Sequence, residues 1–245
     1  MVPSSNSPEP ARGSAFVDHD AWDRDIADLV LRALPPAPAR VLEVGCGKGR
    51  LAQSMSAAGY RVVAIDPDAP EGSIFRRVTI EEFAESEPFD AAVATLSLHH
   101  IDDLDAAVAK IASLVAPGGI FVAVEMASDR FDDATATWAL KYLVPGAEHG
   151  WLAHRHNEWT TQTGVEAGVG FAEYMRGWAA SNQFHSAATM LEICRSHFDE
   201  MQYEAWPYLY PELQGVTRAQ EIAEIEAGRI QAMGFTWVGA ARSAL

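Results

Sequence analysis

Three groups of residues carry side chains and spacings suited to chemistry. His99 and His100 close the apolar run "FDAAVATLSLHH", and a histidine at such an edge can take a proton near neutral pH. Side-chain alternation along extended backbone sends the two rings in different directions, so at most one of them faces a reacting partner. In "EHGWLAHRHNEW", His154, His156 and Glu158 alternate, and an extended segment would put all three on one side, as general bases or as contacts to a bound acceptor. A metal site is not read there, because alternate residues of one loop rarely suffice without ligands from elsewhere. The third group is "VLEVGCGKGR", in which Gly45, Gly47 and Gly49 alternate directly after a branched apolar run. Glycines at that point let backbone approach a ligand closely. Cys46 lies inside the turn with no base fixed beside it, so it reads as a small packed residue.

The elements that must position these groups follow from the patterning. "DAWDRDIADLVLRALPP" puts Trp22, Ile26, Leu29 and Ala33 on one helical face, with two prolines ending it. Strand-like and helix-like segments then alternate: "ARVLEV", a helix from about Arg50 closed by Gly59, "RVVAID", a weaker strand near "FRRVTI", "FDAAVATL", a helix through Leu104 to Val115, and "IFVAVE". Five such strands imply a parallel sheet covered on both faces. Between residues 129 and 185 the alternation breaks, and tryptophan, tyrosine and histidine accumulate in what reads as an insertion. Helix, strand, helix and strand resume after it. The first 14 residues, rich in Pro, Ser and Gly, are expected to form a mobile tail, leaving 15–245 as one domain.

Composition narrows the partners. The chain has 245 residues, 49% of them hydrophobic, and 18 basic against 34 acidic side chains give a formal charge of −16. That field repels a phosphate backbone, so nucleic acid is an unfavourable partner. Two cysteines suggest no disulfide framework, and no segment supplies the roughly 18 apolar residues of a membrane span. A soluble protein of the cytoplasm is the expectation.

A nicotinamide dinucleotide site needs G-x-G-x-x-G, yet the position for the third glycine holds Arg50. The turn reads E-x-G-x-G-x-G instead, and the next strand ends in Asp66, whose carboxylate can accept both hydroxyls of a ribose. "VLEVGCGKG", "VVAIDPD", "FDAAVATLSLHHIDDL" and "LVAPGGIFVAVE" together resemble, in order, the motifs of class I S-adenosylmethionine-dependent methyltransferases of the small-molecule branch. The resemblance covers roughly Val41 to Glu125. It implies a Rossmann-like α/β fold with a seven-stranded, mostly parallel sheet, helices on both faces and a helical lid after the fifth strand, formed by 129–185.

For the cofactor, S-adenosylmethionine, the resemblance implies the following roles. Gly45 and Gly47 admit the methionine portion, with Glu43 holding the loop or the amino group. Asp66, followed by Pro67, takes the ribose. Ile80, at the end of the third strand, offers its backbone N–H to adenine, and Leu96 offers its carbonyl to the methionine ammonium. Family members often carry aspartate where this chain has Thr79, so either Glu81 takes the adenine amino group or backbone and apolar packing hold the ring. His100 matches the histidine the family usually keeps and is the base candidate for a small, aromatic or apolar acceptor methylated on O or N. The helix between the last two strands departs from the family's hairpin; it either widens the pocket or serves a homodimer contact. Two other uses of the same pocket stay open: a non-methylating reaction driven by the sulfonium charge, and a non-catalytic cofactor-binding module.

Overall fold

The computed structural model describes residues 19–144, 150–163 and 168–242, so the tail assigned to 1–14 lies outside the described residues. The chain opens with α1 (His19–Ala33), then β1 (Arg40–Val44), α2 (Arg50–Ala57) and β2 (Arg61–Ile65). β3 (Phe75–Arg76), β4 (Phe89–Thr95), α3 (Leu104–Leu114) and β5 (Val115–Met126) complete the first half. α4 (Asp133–Leu140), α5 (Trp151–Glu158) and α6 (Phe171–Ser181) follow, and then α7 (Ala187–His197), β6 (Phe198–Trp206), α8 (Arg218–Glu226) and β7 (Gly234–Ala241).

The seven strands form one sheet in the order β3-β2-β1-β4-β5-β7-β6, and only β7 runs antiparallel to its neighbours. The chain moves outward from β1 to β2 and β3, then returns to place β4 on the other side of β1. That reversal leaves a crevice beyond the carboxyl ends of β1 and β4, the place where open α/β sheets bind ligands. Val44 pairs with both Ile65 and Ala94, so the ends of β1, β2 and β4 lie level at the crevice.

Alternation along each strand splits the core. Leu42, Ala92, Phe121 and Ala123 pack on one face with α3 and α7, while Val41, Val93, Val122 and Val124 pack on the other with α1 and α2. Glu43 falls on the α1–α2 face and Glu125 on the α3–α7 face, both buried where the pattern calls for an apolar side chain. A third cluster, including Trp138, Leu152, Phe171, Met175, Leu209 and Met233, joins α4, α5 and α6 to the segments flanking α8.

Two expectations are corrected here. The third strand is two residues long: Val78 N–H bonds back to Arg76 O and turns the chain out of the ladder. Thr79, Ile80 and Glu81 therefore sit in the turn beyond β3, and Ile80 is not at a strand end. The segment holding His154, His156 and Glu158 is helical, α5, and not extended. Its first turn is anchored by Glu212, whose carboxylate accepts N–H groups from Leu152 and Trp151 in place of a local cap.

Candidate functional site

The site is built around the turn after β1. Gly45 and Gly47 have φ of +76° and +49°, and a Cβ on Gly45 would stand 2.3 Å from Ser97 Cβ, so the turn after β4 closes against bare backbone. The N–H groups of Gly45 and Cys46 donate to Ile65 O at 2.9 and 3.1 Å, tying the turn to the tip of β2. Asp66 continues that brace: its carboxylate accepts the Gly47 N–H at 2.9 Å and the Asp68 N–H at 2.8 Å. A carboxylate offers about four acceptor positions, so two remain.

A cavity of about 660 Å³ opens on the Asp66 side of this turn. Gly45, Gly47, Asp66, Pro67, Thr79, Ile80, Glu81, Leu96 and His100 line it, bringing together nine of the residues singled out in the sequence. A second cavity, about 1060 Å³, lies on the other side of the turn, under α1 and α2, and shares Gly45, Gly47 and Leu96 with the first. Glu43 lines this larger space. It is 1% exposed and its Oε2 has no hydrogen-bond partner. Burial, and after it the charge of Asp66, raise the Glu43 carboxyl to about 8.

Leu96 separates the two cavities and holds φ of +52°, a strained conformation for a branched side chain. Its N–H donates to Val124 O, and the next two N–H groups, of Ser97 and Leu98, both donate to Glu125 Oε1 at 2.8 and 2.7 Å. Glu125 Oε2 takes His99 Nδ1–H at 2.7 Å. One buried carboxylate thus fixes the turn from Ser97 to His99.

The two histidines do diverge, by a different geometry from the extended one expected. Leu98–His100 is a single 3₁₀ turn that buries His99 against Glu125 and leaves His100 on the cavity wall. Phe184 packs edge-on to both rings. Burial, and next the neighbouring His99 ring, hold His100 below its ordinary value, so it is a neutral acceptor at pH 7.

On α5, His154 and Glu158 stand one turn apart at 3.5 Å, and His154 is exposed. His156 turns away from both, packing on Trp159 and Phe171, and burial lowers its pKa. The shared side foreseen for the three is absent because successive helical residues rotate by about 100°. Neither histidine lines either cavity. Cys46 is buried, and desolvation together with Glu43 and Asp66 pushes its thiol up to about 12.

Sequence reasoning passed over Glu125 and Trp22. Glu125 looked like an ordinary strand end, and only the contact with His99, 26 residues earlier, reveals its part. Trp22 lines the larger cavity from α1, and its indole N–H is buried with no partner. No helix among the described residues is long and apolar enough to cross a membrane.

A family model described as a methyltransferase domain matches residues 18–160. A ubiquinone biosynthesis O-methyltransferase of Bradyrhizobium sp. (strain ORS 278) is 28% identical over 134 residues, 49% of this chain and 51% of that protein. The chain therefore spans about half the length of that curated relative. Among solved structures, the N-methyltransferase NodS of Bradyrhizobium japonicum WM9 in complex with S-adenosyl-L-homocysteine superposes with a TM-score of 0.52 at 16% identity, covering 95% of this chain and 94% of that one. A geranyl diphosphate C-methyltransferase from Streptomyces coelicolor A3(2) gives a TM-score of 0.56 at 12% identity, covering 96% and 86%. At these identities the two structures speak to the fold.

Proposed function

This chain belongs to the class I S-adenosylmethionine-dependent methyltransferases, and we propose that it methylates an O or N atom of a small planar or apolar acceptor. The observation that carries this reading is the meeting of the glycine turn, Asp66 and the 79–81 turn around one cavity, with a buried carboxylate oxygen unpartnered on the turn's other side. Bound S-adenosylmethionine supplies a sulfonium methyl group already activated for in-line displacement.

The residues fit such a molecule. Asp66 keeps two acceptor positions after bracing the loop, enough for the two hydroxyls of a ribose. Thr79, Ile80 and Glu81 form the wall for adenine, where Thr79 offers no carboxylate and Glu81 does. Glu43 has the acceptor that an ammonium needs, and in a dry site that pairing is strong only when the charge is met. Leu96, whose N–H is held by Val124 O, contributes its carbonyl beside it. His100, neutral and on the cavity wall, is placed to receive the proton that a hydroxyl acceptor must lose.

The segment 129–185, with α4, α5 and α6 packed on their own apolar cluster, forms a lid that selects the acceptor. Its aromatic content suits a planar or apolar molecule. Aligning that molecule with the reactive methyl and excluding water supplies most of the rate enhancement. His154 and His156 have no part in this reading.

Incubating the protein with methyl-labelled S-adenosylmethionine and a metabolite extract tests it. One small molecule is expected to gain the labelled methyl as S-adenosylhomocysteine accumulates. Tight donor binding with no label in any product contradicts methylation while leaving the pocket in place.

A further inference from the structure

The turn that carries His100 is tied to the far end of the insertion. His185 brackets it: its backbone N–H donates to His99 O at 3.2 Å, and its ring Nε2 meets Ile101 O at 2.7 Å. A carbonyl can only accept, so that nitrogen carries the proton. His100 therefore lies between two carbonyls held by one residue. Phe184, the preceding residue, adds its ring, T-shaped to His99 at 4.9 Å and to His100 at 4.5 Å.

These two residues reach the turn because of the way α6 ends. Phe184 N–H returns to Ala179 O and Gln183 N–H to Ala180 O, both at 3.0 Å, and Gln183 holds φ of +58°. This is a Schellman ending, whose left-handed position glycine fills most easily. A glutamine there costs stability, and such strain persists only where the surroundings fix it. The segment is fastened again just downstream. Ser186 caps α7 by accepting the Thr189 N–H, and Asp129, at the start of the insertion, accepts the Ala187 N–H at 2.8 Å. Trp178 of α6 packs on Phe184 at 5.0 Å, which carries the contact into the lid.

Resting on the methyltransferase reading, we propose that His185 is a positioning residue for His100: it sets where the base stands relative to the reactive methyl and ties that place to the lid. His185 lines neither cavity, so it acts through the turn and not on a ligand. Glu125 grips the same turn from β5, but its bonds stop at His99, whereas those of His185 fall on either side of His100. A misplacement of about 1 Å can cost about 10²-fold in rate, so a grip at this point bears on the chemistry. The other ionisable groups around His100 are His99 and Glu125 beside it and Asp66, Glu81, Asp102 and Asp103 along the shared cavity.

Two variants separate the bond from the charge. His185→Gln removes the titratable ring and keeps an N–H for Ile101 O; His185→Ala removes both. In histidine-labelled protein, with His100 assigned from His100→Ala, NMR is expected to show the Overhauser contact between His100 and Phe184 in wild type and His185→Gln. In His185→Ala that contact is expected to be lost, and the His100 titration to move up toward the ordinary histidine value as water reaches the ring. Calorimetry with S-adenosylhomocysteine should give one affinity for wild type and both His185 variants, showing the cofactor cavity intact. Label transfer from methyl-labelled S-adenosylmethionine into a metabolite extract is expected to slow about tenfold or more in His185→Ala and to run as fast as wild type in His185→Gln. An unchanged His100 contact and titration in His185→Ala, its loss of S-adenosylhomocysteine binding, or a His185→Gln protein slowed as much as His185→Ala overturns the positioning role. Wild type that binds S-adenosylhomocysteine and labels nothing overturns methylation and the part of His100 in it, while the NMR result separately upholds or overturns the hold of His185 on that ring.

Discussion

Glu43 shows how much one buried carboxyl can report. β1 alternation sends it to the α1–α2 face, among apolar side chains, and burial raises it to about 8. With the carboxyl raised to about 8, an ammonium bound beside it is expected to expel its proton. The ionised form is the one that binds, so affinity for S-adenosylhomocysteine is expected to rise with pH up to about 8 and then level, with proton release visible in buffers of different ionisation enthalpy. A flat profile in wild-type protein contradicts this account of Glu43. His100 is shifted the other way, downward, and is neutral at working pH. With a hydroxyl acceptor, His100→Ala should lower kcat by roughly 10²- to 10⁴-fold and abolish the acid limb of the rate profile; an unchanged rate across pH removes it from the chemistry. Gly45, Gly47 and Asp66 were legible as parts of one turn, because positive φ calls for the glycines and a strand-end carboxylate braces the loop N–H groups. Trp22 and Glu125 were not, since what singles them out is a partner brought close only by folding: Tyr208 for one, His99 for the other.

Among the elements, the glycine turn is the least tolerant. Gly45→Ala places a methyl 2.3 Å from Ser97 Cβ at a φ of +76°. Roughly 1–3 kcal/mol from overpacking and about 1–2 from the left-handed conformation are expected to be lost in denaturant unfolding. Unchanged stability contradicts the close approach of the β1 and β4 turns. α5 illustrates the opposite limit of legibility. His154, His156 and Glu158 fit a two-residue period, yet the segment is helical, because its open N–H groups meet Glu212 from 60 residues away. Burial raises Glu212 to about 7. Its protonated form is favoured in the folded state, so its contribution is whole below the ordinary carboxyl pKa of 4.5 and is lost as pH rises through about 7. Glu212→Gln keeps an accepting oxygen and cannot ionise. Its melting temperature is therefore expected to fall less than that of wild type between about pH 5 and 8, and parallel curves contradict the shift.

At the scale of the molecule, the parallel half of the sheet was readable because β1-α2-β2 and β4-α3-β5 are strand-helix-strand units whose right-handed crossovers leave little choice. The crevice follows from the same rule, since it lies where strand order reverses. The cluster that joins α4, α5 and α6 to Leu209 and Met233 was not readable: its members are scattered over more than a hundred residues, and no local period links them. Yet Trp22 of α1 and Leu96, which line the cavities, pack against that cluster, so parts of the chain far apart in sequence meet beside the crevice. The central claim is that the crevice holds the nucleoside with Asp66 on its sugar. Calorimetric titration of S-adenosylhomocysteine into wild type and Asp66→Ala tests it most directly. The account predicts one site per chain in wild type, weakened by roughly 1–3 kcal/mol in the variant; no heat with wild type, or equal affinity in the two proteins, contradicts it.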